Sequence, residues 1–78
     1  MPVLRLFASA REAAGTGREE VPGDTVEQVL ANAVARHGEQ FAAVMGTCRV
    51  WVNGEEVDPA TALRHGDEVA VLPPVSGG

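Results

Sequence analysis

The sequence predicts a two-layer α+β domain, with one main helix on one face of a mixed five-stranded sheet. Two observations predict this class. Five short runs of aliphatic and β-branched residues are separated by turn signals, and the one long segment with helical apolar spacing falls between the second and third runs. Because one helix covers only one face of a sheet, the other face is expected to remain open. The length of 78 residues corresponds to a single small domain.

The first two strands are predicted to form a hairpin with a long connection. Residues 3–8 form the first strand, since they are rich in branched and aromatic side chains. By alternation, Leu4 and Leu6 share one face of this strand and Phe7 lies on the other. Residues 18–21 form a short second strand that pairs with the first.

Two helix starts are predicted from capping residues. Ser9 is expected to cap one helical turn, with Glu12 three residues later completing a capping box. The main helix is expected to begin at Asp24, with Glu27 in the matching position. It ends at Gly38. Its apolar stripe consists of Val26, Val29, Leu30, Ala33, Val34 and His37.

Three strands are predicted in the second half of the chain. Residues 41–45 indicate a short packed turn, and residues 48–52 the third strand. Asn53-Gly54 is a strong hairpin signal, so residues 55–57 are expected to form the fourth strand. Residues 68–72 form the last strand, whose Val69 and Val71 are expected to face the main helix together with Leu4 and Leu6. The first and last strands are candidates for a parallel central pair, because the helix crosses between the two halves.

The composition excludes several classes of function. Six arginines against eleven acids give a net charge of −5, which argues against nucleic acid and anionic membranes as partners. The absence of lysine excludes a Schiff-base mechanism. Cys48 is the single cysteine, so no intrachain disulfide forms, and the scattered histidines give no metal-ligand spacing. Without an apolar run of about 20 residues, a soluble, cytoplasmic protein is expected.

Residues 73–78 are predicted to be a flexible diglycine tail that follows a folded domain of residues 1–72. Pro73-Pro74 ends the sheet, because proline cannot donate to a strand ladder, and it favours an extended course. Gly77 and Gly78 carry no side chain, so this end fits a narrow channel and presents a main-chain carboxylate. The alternative interpretation is a frayed terminus.

The order of elements and the final Gly77-Gly78 together resemble the ubiquitin-like β-grasp fold. Residues 66–70 and 73–78 resemble the end of the small, sulfur-carrying subunit of molybdopterin synthase. The resemblance spans the whole chain, and its most specific element is the tail. Weaker matches are Phe7-Ala8, Arg11-Glu12, Gly15, Thr25-Val26 and Val52-Asn53-Gly54.

The resemblance implies a carrier that has no catalytic side chains of its own. A ubiquitin-activating-type adenylyltransferase would adenylate Gly78, and a sulfurtransferase would convert this transient acyl-AMP to a thiocarboxylate. No cofactor would be bound permanently. The charged chain would dock on the large synthase subunit, in a heterotetramer with a large-subunit dimer, and donate sulfur to cyclic pyranopterin monophosphate. A carrier for thiazole (thiamine) or cysteine synthesis, and a ubiquitin-like protein modifier, are the alternatives.

The uncovered face of the sheet is expected to dock on the partner. In a β-grasp sheet the first, last and third strands are adjacent, so their outward side chains form one apolar patch that leads to the tail. Arg11 is a further candidate, to pair with an acid of the partner, and a solvated surface arginine is the alternative interpretation. Loop cover over the aromatics, or a register shifted by one residue, is the alternative. The expected partner-binding residues besides Arg11 are Phe7, Trp51, Ala70, Leu72, Pro73, Pro74, Val75, Ser76 and Gly77.

Several polar groups are expected to have structural roles only. Cys48 is interpreted as a buried thiol on the helix-facing side of its strand. His37 is expected to cap the C-terminus of the main helix. The acidic pairs Glu19-Glu20 and Glu55-Glu56 are expected to be solvated.

Overall fold

The computed structural model describes residues 1–73, and this part of the chain contains five strands and three helices. The predicted α+β class is confirmed. The strands are Val3–Leu6 (β1), Arg18–Glu20 (β2), Arg49–Val52 (β3), Glu55–Glu56 (β4) and Glu68–Leu72 (β5). The helices are Ala8–Ala14 (α1), Val26–His37 (α2) and Glu39–Met45 (α3).

The five strands form one mixed sheet in the order β2-β1-β5-β3-β4. β1 and β5 run parallel at its centre. β2 pairs antiparallel with β1, and β3 pairs antiparallel with β5. The predicted central parallel pair is therefore confirmed, and so is the adjacency of first, last and third strands expected of a β-grasp sheet.

The core lies between the helices and one face of the sheet. Leu4 and Leu6 of β1 are almost completely buried, as are Val69 and Val71 of β5. Alternation predicted that these pairs share the helix-facing side, and the structure confirms it. Burying a side chain of this size contributes about 1.5–3 kcal/mol. From the helices, the core includes Ala10, Val26, Val29, Ala33 and Phe41.

The first helix is longer than predicted and begins earlier. Ser9 is not its N-cap; Phe7 occupies that position in an extended conformation, without a side-chain cap. β1 consequently ends at Leu6, and α1 begins at Ala8. The helix forms because Ala10 is fully buried in the core, so tertiary packing and not a capping side chain determines where it starts.

The main helix is capped one residue later than predicted. Thr25, and not Asp24, is the N-cap: its Oγ1 accepts a hydrogen bond from the Gln28 N–H at 3.2 Å. Gln28 Oε1 in turn accepts from the Asp24 N–H at 2.8 Å, so Gln28 takes the role expected of Glu27. The predicted capping pair, Asp24 with Glu27, and the observed pair, Thr25 with Gln28, are adjacent in sequence. Thr25 is the N-cap because its backbone also forms a β-bridge with Ala62.

The segment predicted as a short packed turn is a third helix, α3. Gly38, with φ of +96°, ends α2 as predicted and directly precedes α3. Phe41 is completely buried, and its ring contacts the His37 ring in a tilted arrangement, with an interplanar angle of 56° and centroids 5.2 Å apart. α2 is the longest of the three helices within residues 1–73 and is the predicted main helix, whereas the prediction of a short turn over residues 41–45 is wrong. No helix within residues 1–73 has the length and apolar character needed to cross a membrane.

The predicted hairpin between β3 and β4 is confirmed. Asn53 and Gly54 have φ of +49° and +87°, the left-handed pair that this tight turn requires. β3 begins at Arg49 and not at Cys48, because the Cys48 N–H donates to the Met45 carbonyl in the turn that follows α3. β4 is correspondingly short and ends at Glu56.

Candidate functional site

The open face of the sheet is the side turned away from the core, and it holds the predicted docking residues. Because Leu4, Val69 and Val71 point into the core, the residues between them in each strand point outward. The exposed and half-buried side chains of this open face are Arg5, Phe7, Arg18, Glu20, Arg49, Trp51, Glu56, Glu68, Ala70 and Leu72.

The strand register brings together the four predicted apolar residues. Trp51 lies directly opposite Ala70, and Leu72 is two residues farther along the same strand. Phe7 follows Leu6, which lies opposite Val71, so Phe7 reaches the level of Leu72. These four residues, Phe7, Trp51, Ala70 and Leu72, are called the apolar patch below.

The members of the apolar patch differ in exposure. Phe7 is 39% exposed and is, with Met1, one of the two exposed large apolar side chains within residues 1–73. Trp51, Ala70 and Leu72 are half-buried. The strand pairing excludes the register shift considered from the sequence, because Trp51 lies opposite Ala70 and Val52 opposite the buried Val69. Their role in partner binding stays a prediction.

Arginines border the apolar patch, and sequence reasoning missed them. The Arg5 guanidinium carbon lies 5.9 Å from the centroid of the Phe7 ring. Arg5 Nη1 is 3.3 Å from Glu68 Oε1, and Arg49 Nη1 is 2.9 Å from Glu56 Oε2. The signal was present in the sequence, because strand alternation places Arg5 with Phe7 and Arg49 with Trp51.

Arg11, the remaining predicted contact residue, lies on α1 and is exposed. Its side chain passes over Gly17: a Cβ atom built on that glycine would lie 3.4 Å from both Cδ and Nε of Arg11. The glycine thus leaves room for the arginine beside the start of β2. Within residues 1–73 Arg11 forms no ion pair.

The tail begins at the end of the central strand β5. Pro73 is half-buried and directly follows Leu72. The structure describes no residue beyond Pro73, so the predictions for Pro74, Val75, Ser76, Gly77 and Gly78 lie outside the described residues. What the structure does show is that the chain leaves the sheet between β1 and β3, at the end where Phe7 lies.

The predicted roles of His37 and Glu19 are both wrong. His37 Nε2 lies 2.5 Å from Glu19 Oε1, and Arg36 Nη1 lies 3.5 Å from the other oxygen of that carboxylate. Because a carboxylate only accepts, the imidazole donates from Nε2. His37 therefore connects α2 to β2 through this hydrogen bond and does not cap its own helix. Glu19 is half-buried and not solvated. Glu20, Glu55 and Glu56 are exposed, as predicted.

Cys48 and Asp67 have shifted pKa values with clear causes. Burial raises the pKa of the Cys48 thiol, and a side-chain hydrogen bond with Thr47 has a smaller, opposite effect on that pKa. The Cys48 Sγ donates a hydrogen bond to the Val44 carbonyl at 3.2 Å. Cys48 precedes β3 and is half-buried. The pKa of Asp67 is lowered mainly by the backbone N–H of Arg64, then by the Asn53 amide. Within residues 1–73, no group of three or more His, Cys, Asp or Glu side chains is placed to hold a metal ion.

Comparison with known proteins relates the chain to small sulfur carriers and modifiers. The model of the ThiS family matches residues 4–78, including the terminal diglycine. The molybdopterin synthase sulfur carrier subunit of Chlamydomonas reinhardtii is 42% identical over 77 residues, covering 92% of each chain. The protein of the same name from Escherichia coli is 40% identical over 76 residues, covering 92% of this chain and 93% of that one.

A third relative has a different described role and a known structure. Small archaeal modifier protein 1 of Haloferax volcanii is 39% identical over 84 residues, covering 95% of this chain and 97% of that one. Its crystal structure superposes with a TM-score of 0.80 at 37% identity, covering 99% of this chain and 98% of that one. The β-grasp fold is thus common to proteins described as sulfur carriers and as modifiers.

Proposed function

Because the chain belongs to the ThiS family, we propose that it is a sulfur carrier and serves as the small subunit of a molybdopterin synthase. Two of the three relatives described above bear that name, and each matches more than nine-tenths of this chain. The chain itself supplies the carrier, and its partners supply the catalytic side chains.

The observation that carries this proposal is the position of β5. This strand is hydrogen-bonded to β1 on one side and to β3 on the other, so it is held firmly in the sheet. It ends at Leu72, immediately before residues 73–78 with their proline pair and diglycine. A rigid domain followed by a segment that ends in two glycines is suited to deliver the main-chain carboxyl group of Gly78 into a partner's active site.

The chemistry proposed for Gly78 has three steps. A ubiquitin-activating-type enzyme transfers AMP from ATP to the Gly78 carboxylate and releases pyrophosphate. A persulfide from a sulfurtransferase then displaces AMP and forms an acyl disulfide. A thiol reductant attacks the sulfurtransferase sulfur of this S–S bond, which leaves a thiocarboxylate on Gly78 and a disulfide between the thiol and the sulfurtransferase. In the synthase, this sulfur passes to cyclic pyranopterin monophosphate while the apolar patch contacts the large subunit. The acyl-AMP and the thiocarboxylate are both transient, and no resident cofactor takes part.

Intact mass after activation tests the carrier proposal. The chain is incubated with an adenylating enzyme, ATP, a persulfide donor and a thiol reductant, and the expected gain in mass equals the exchange of one oxygen for sulfur. Deletion of Gly78 should abolish the gain without unfolding the domain, because the last core residue is Val71 and the last strand ends at Leu72. Ala31→Glu, on the exposed side of α2, is the matched control and should react like the parent chain. An unchanged parent mass, in a reaction that charges a known carrier, would contradict the proposal.

Transfer from the charged chain identifies the pathway. Incubation with the large subunit and cyclic pyranopterin monophosphate should convert the pyranopterin and regenerate the free carboxylate. If the chain accepts sulfur but gives none to the pyranopterin, it is a carrier for another pathway, such as thiazole or cysteine synthesis.

Protein modification is the second candidate function, favoured by the likeness to small archaeal modifier protein 1. In that case Gly78 would form an amide with a lysine of another protein. This sequence contains no lysine, so such adducts would not be chains of this protein linked through side-chain amines. Adducts that resist reducing agents and depend on Gly78 would support the modifier function, and their absence from cells would exclude it.

A further inference from the structure

The arginines of the open face lie together toward its tail end. Arg5 and Arg18 are directly opposite each other in the pairing of β1 with β2. Arg49 lies opposite Leu72, the last residue of β5 before the tail. Half of the chain's six arginines are therefore on this face, in a protein whose net charge is −5. Arg5, Arg18 and Arg49 are called the cationic band below.

The opposite end of the open face is acidic. Glu20 and Glu68 both lie opposite Val3, at the start of β1. This level of the sheet is two residues farther from the tail than Arg5. The open face is thus mainly positive toward the tail, where the three arginines lie with one acid, Glu56, level with Arg5, and negative at the opposite end.

The members of the cationic band are free to exchange partners. In the Arg5–Glu68 pair the side chains are 39% and 54% exposed, and in the Arg49–Glu56 pair they are 68% and 49% exposed. Ion pairs this exposed contribute little to stability, because water screens them. Arg18 has no ion-pair partner within residues 1–73. The interaction between Arg18 and Arg5 is unfavourable in the free chain, since identical charges directly opposite each other on neighbouring strands repel.

We propose that the cationic band binds carboxylate side chains on the large subunit and so sets the direction in which the open face docks. This inference rests on the proposed function, because it names the chemistry of the partner surface. The apolar patch alone has no direction, and contacts of this kind tolerate rotation. The two charged ends remove that freedom: in the reversed orientation the partner's carboxylates would face Glu20 and Glu68, and like charges would repel. Correct orientation places the start of the tail over the partner's active site.

Association kinetics of Arg18→Glu test the proposal. Binding of the chain to the purified large subunit is measured at low and at high salt. Arg18→Glu is expected to lower the association rate about 10-fold at low salt, and high salt should reduce this difference because it screens steering charges. Arg18→Lys keeps the charge and should bind at the parent's rate. Arg64→Glu makes the same charge change outside the open face and should alter the rate by less than about 2-fold.

The outcomes separate this inference from the proposed function. Thermal unfolding that matches the parent shows that the variants are folded. If the parent binds and Arg18→Glu binds equally fast, or if Arg64→Glu is slowed as much, the cationic band has no orienting role and the inference fails alone. If the parent itself does not bind the large subunit, the proposed function fails and the inference fails with it.

Discussion

The two faces of the sheet are built from the same strands but differ in the burial and in the charge of their side chains. On the core face, Leu4, Val69 and Val71 are fully buried and have only apolar neighbours in the core. On the open face, Arg5, Ala70 and Trp51 lie in one row and remain accessible. A single residue step along a strand therefore separates positions that stabilise the domain from positions available for recognition.

The two phenylalanines of the chain give the sharpest test of this difference. Phe41 is completely buried, so Phe41→Ala should destabilise the domain by about 3–5 kcal/mol. Phe7 is 39% exposed, and Phe7→Ala should cost less than about 1 kcal/mol. Chemical denaturation of the two variants measures both values. Equal losses of stability would mean that the open face belongs to the core and not to a docking surface.

Trp51→Glu should separate binding from stability on the open face. The half-buried ring lies within the apolar patch, opposite Ala70. A charge in its place should weaken binding to the large subunit by about 2 kcal/mol, which is the loss typical of an aromatic anchor, while the domain remains folded. Ala31→Glu introduces the same charge on the exposed side of α2 and should leave affinity unchanged. Titration calorimetry measures both, and equal affinity of the Trp51 variant and the parent would show that the patch is misassigned.

Glu19 and Glu20, which are adjacent in β2, test the same difference between the two faces, with a smaller expected effect on stability. The Glu19 carboxylate contacts His37 and Arg36 on the helix side of the sheet, whereas the Glu20 side chain is exposed on the open face. Glu19→Gln should lower the free energy of unfolding by about 1 kcal/mol, because it weakens a half-buried, charge-assisted hydrogen bond. Glu20→Gln should change it by less than about 0.5 kcal/mol. A larger effect at Glu20 would reverse the assignment of faces in β2.

The strand faces were predictable because alternation is a local property. The positions of Leu6, Phe7 and Val71 follow from a period of two residues, which any neighbouring strand preserves. The Asn53-Gly54 turn was equally predictable, since few residues adopt two left-handed conformations in succession. Prediction of the adjacency of Phe7 and Leu72 depended on the resemblance to the β-grasp fold, because local sequence patterns do not determine the order of strands in a sheet.

The helix starts were less predictable, because neighbouring residues compete for the same role. Asp24 and Thr25 both suit an N-cap, and a bridge between Thr25 and the distant Ala62 decides between them. Ser9 has the chemistry of a cap, yet the helix that buries Ala10 in the core has Phe7 as its N-cap, two residues before Ser9. The partner of His37 could not be inferred either, since Glu19 is 18 residues away in sequence.

The sequence by itself determined the α+β class, the alternation that divides each strand between two faces, the tight turn at Asn53-Gly54 and the diglycine that ends residues 73–78. These features depend on backbone sterics and short-range periodicity. Only the tertiary structure decided that α3 forms around Phe41, that His37 binds Glu19, and that Arg5, Arg18 and Arg49 share the face next to the tail. These depend on contacts between residues far apart in the chain, and such contacts arise only once the strands have taken their order and register.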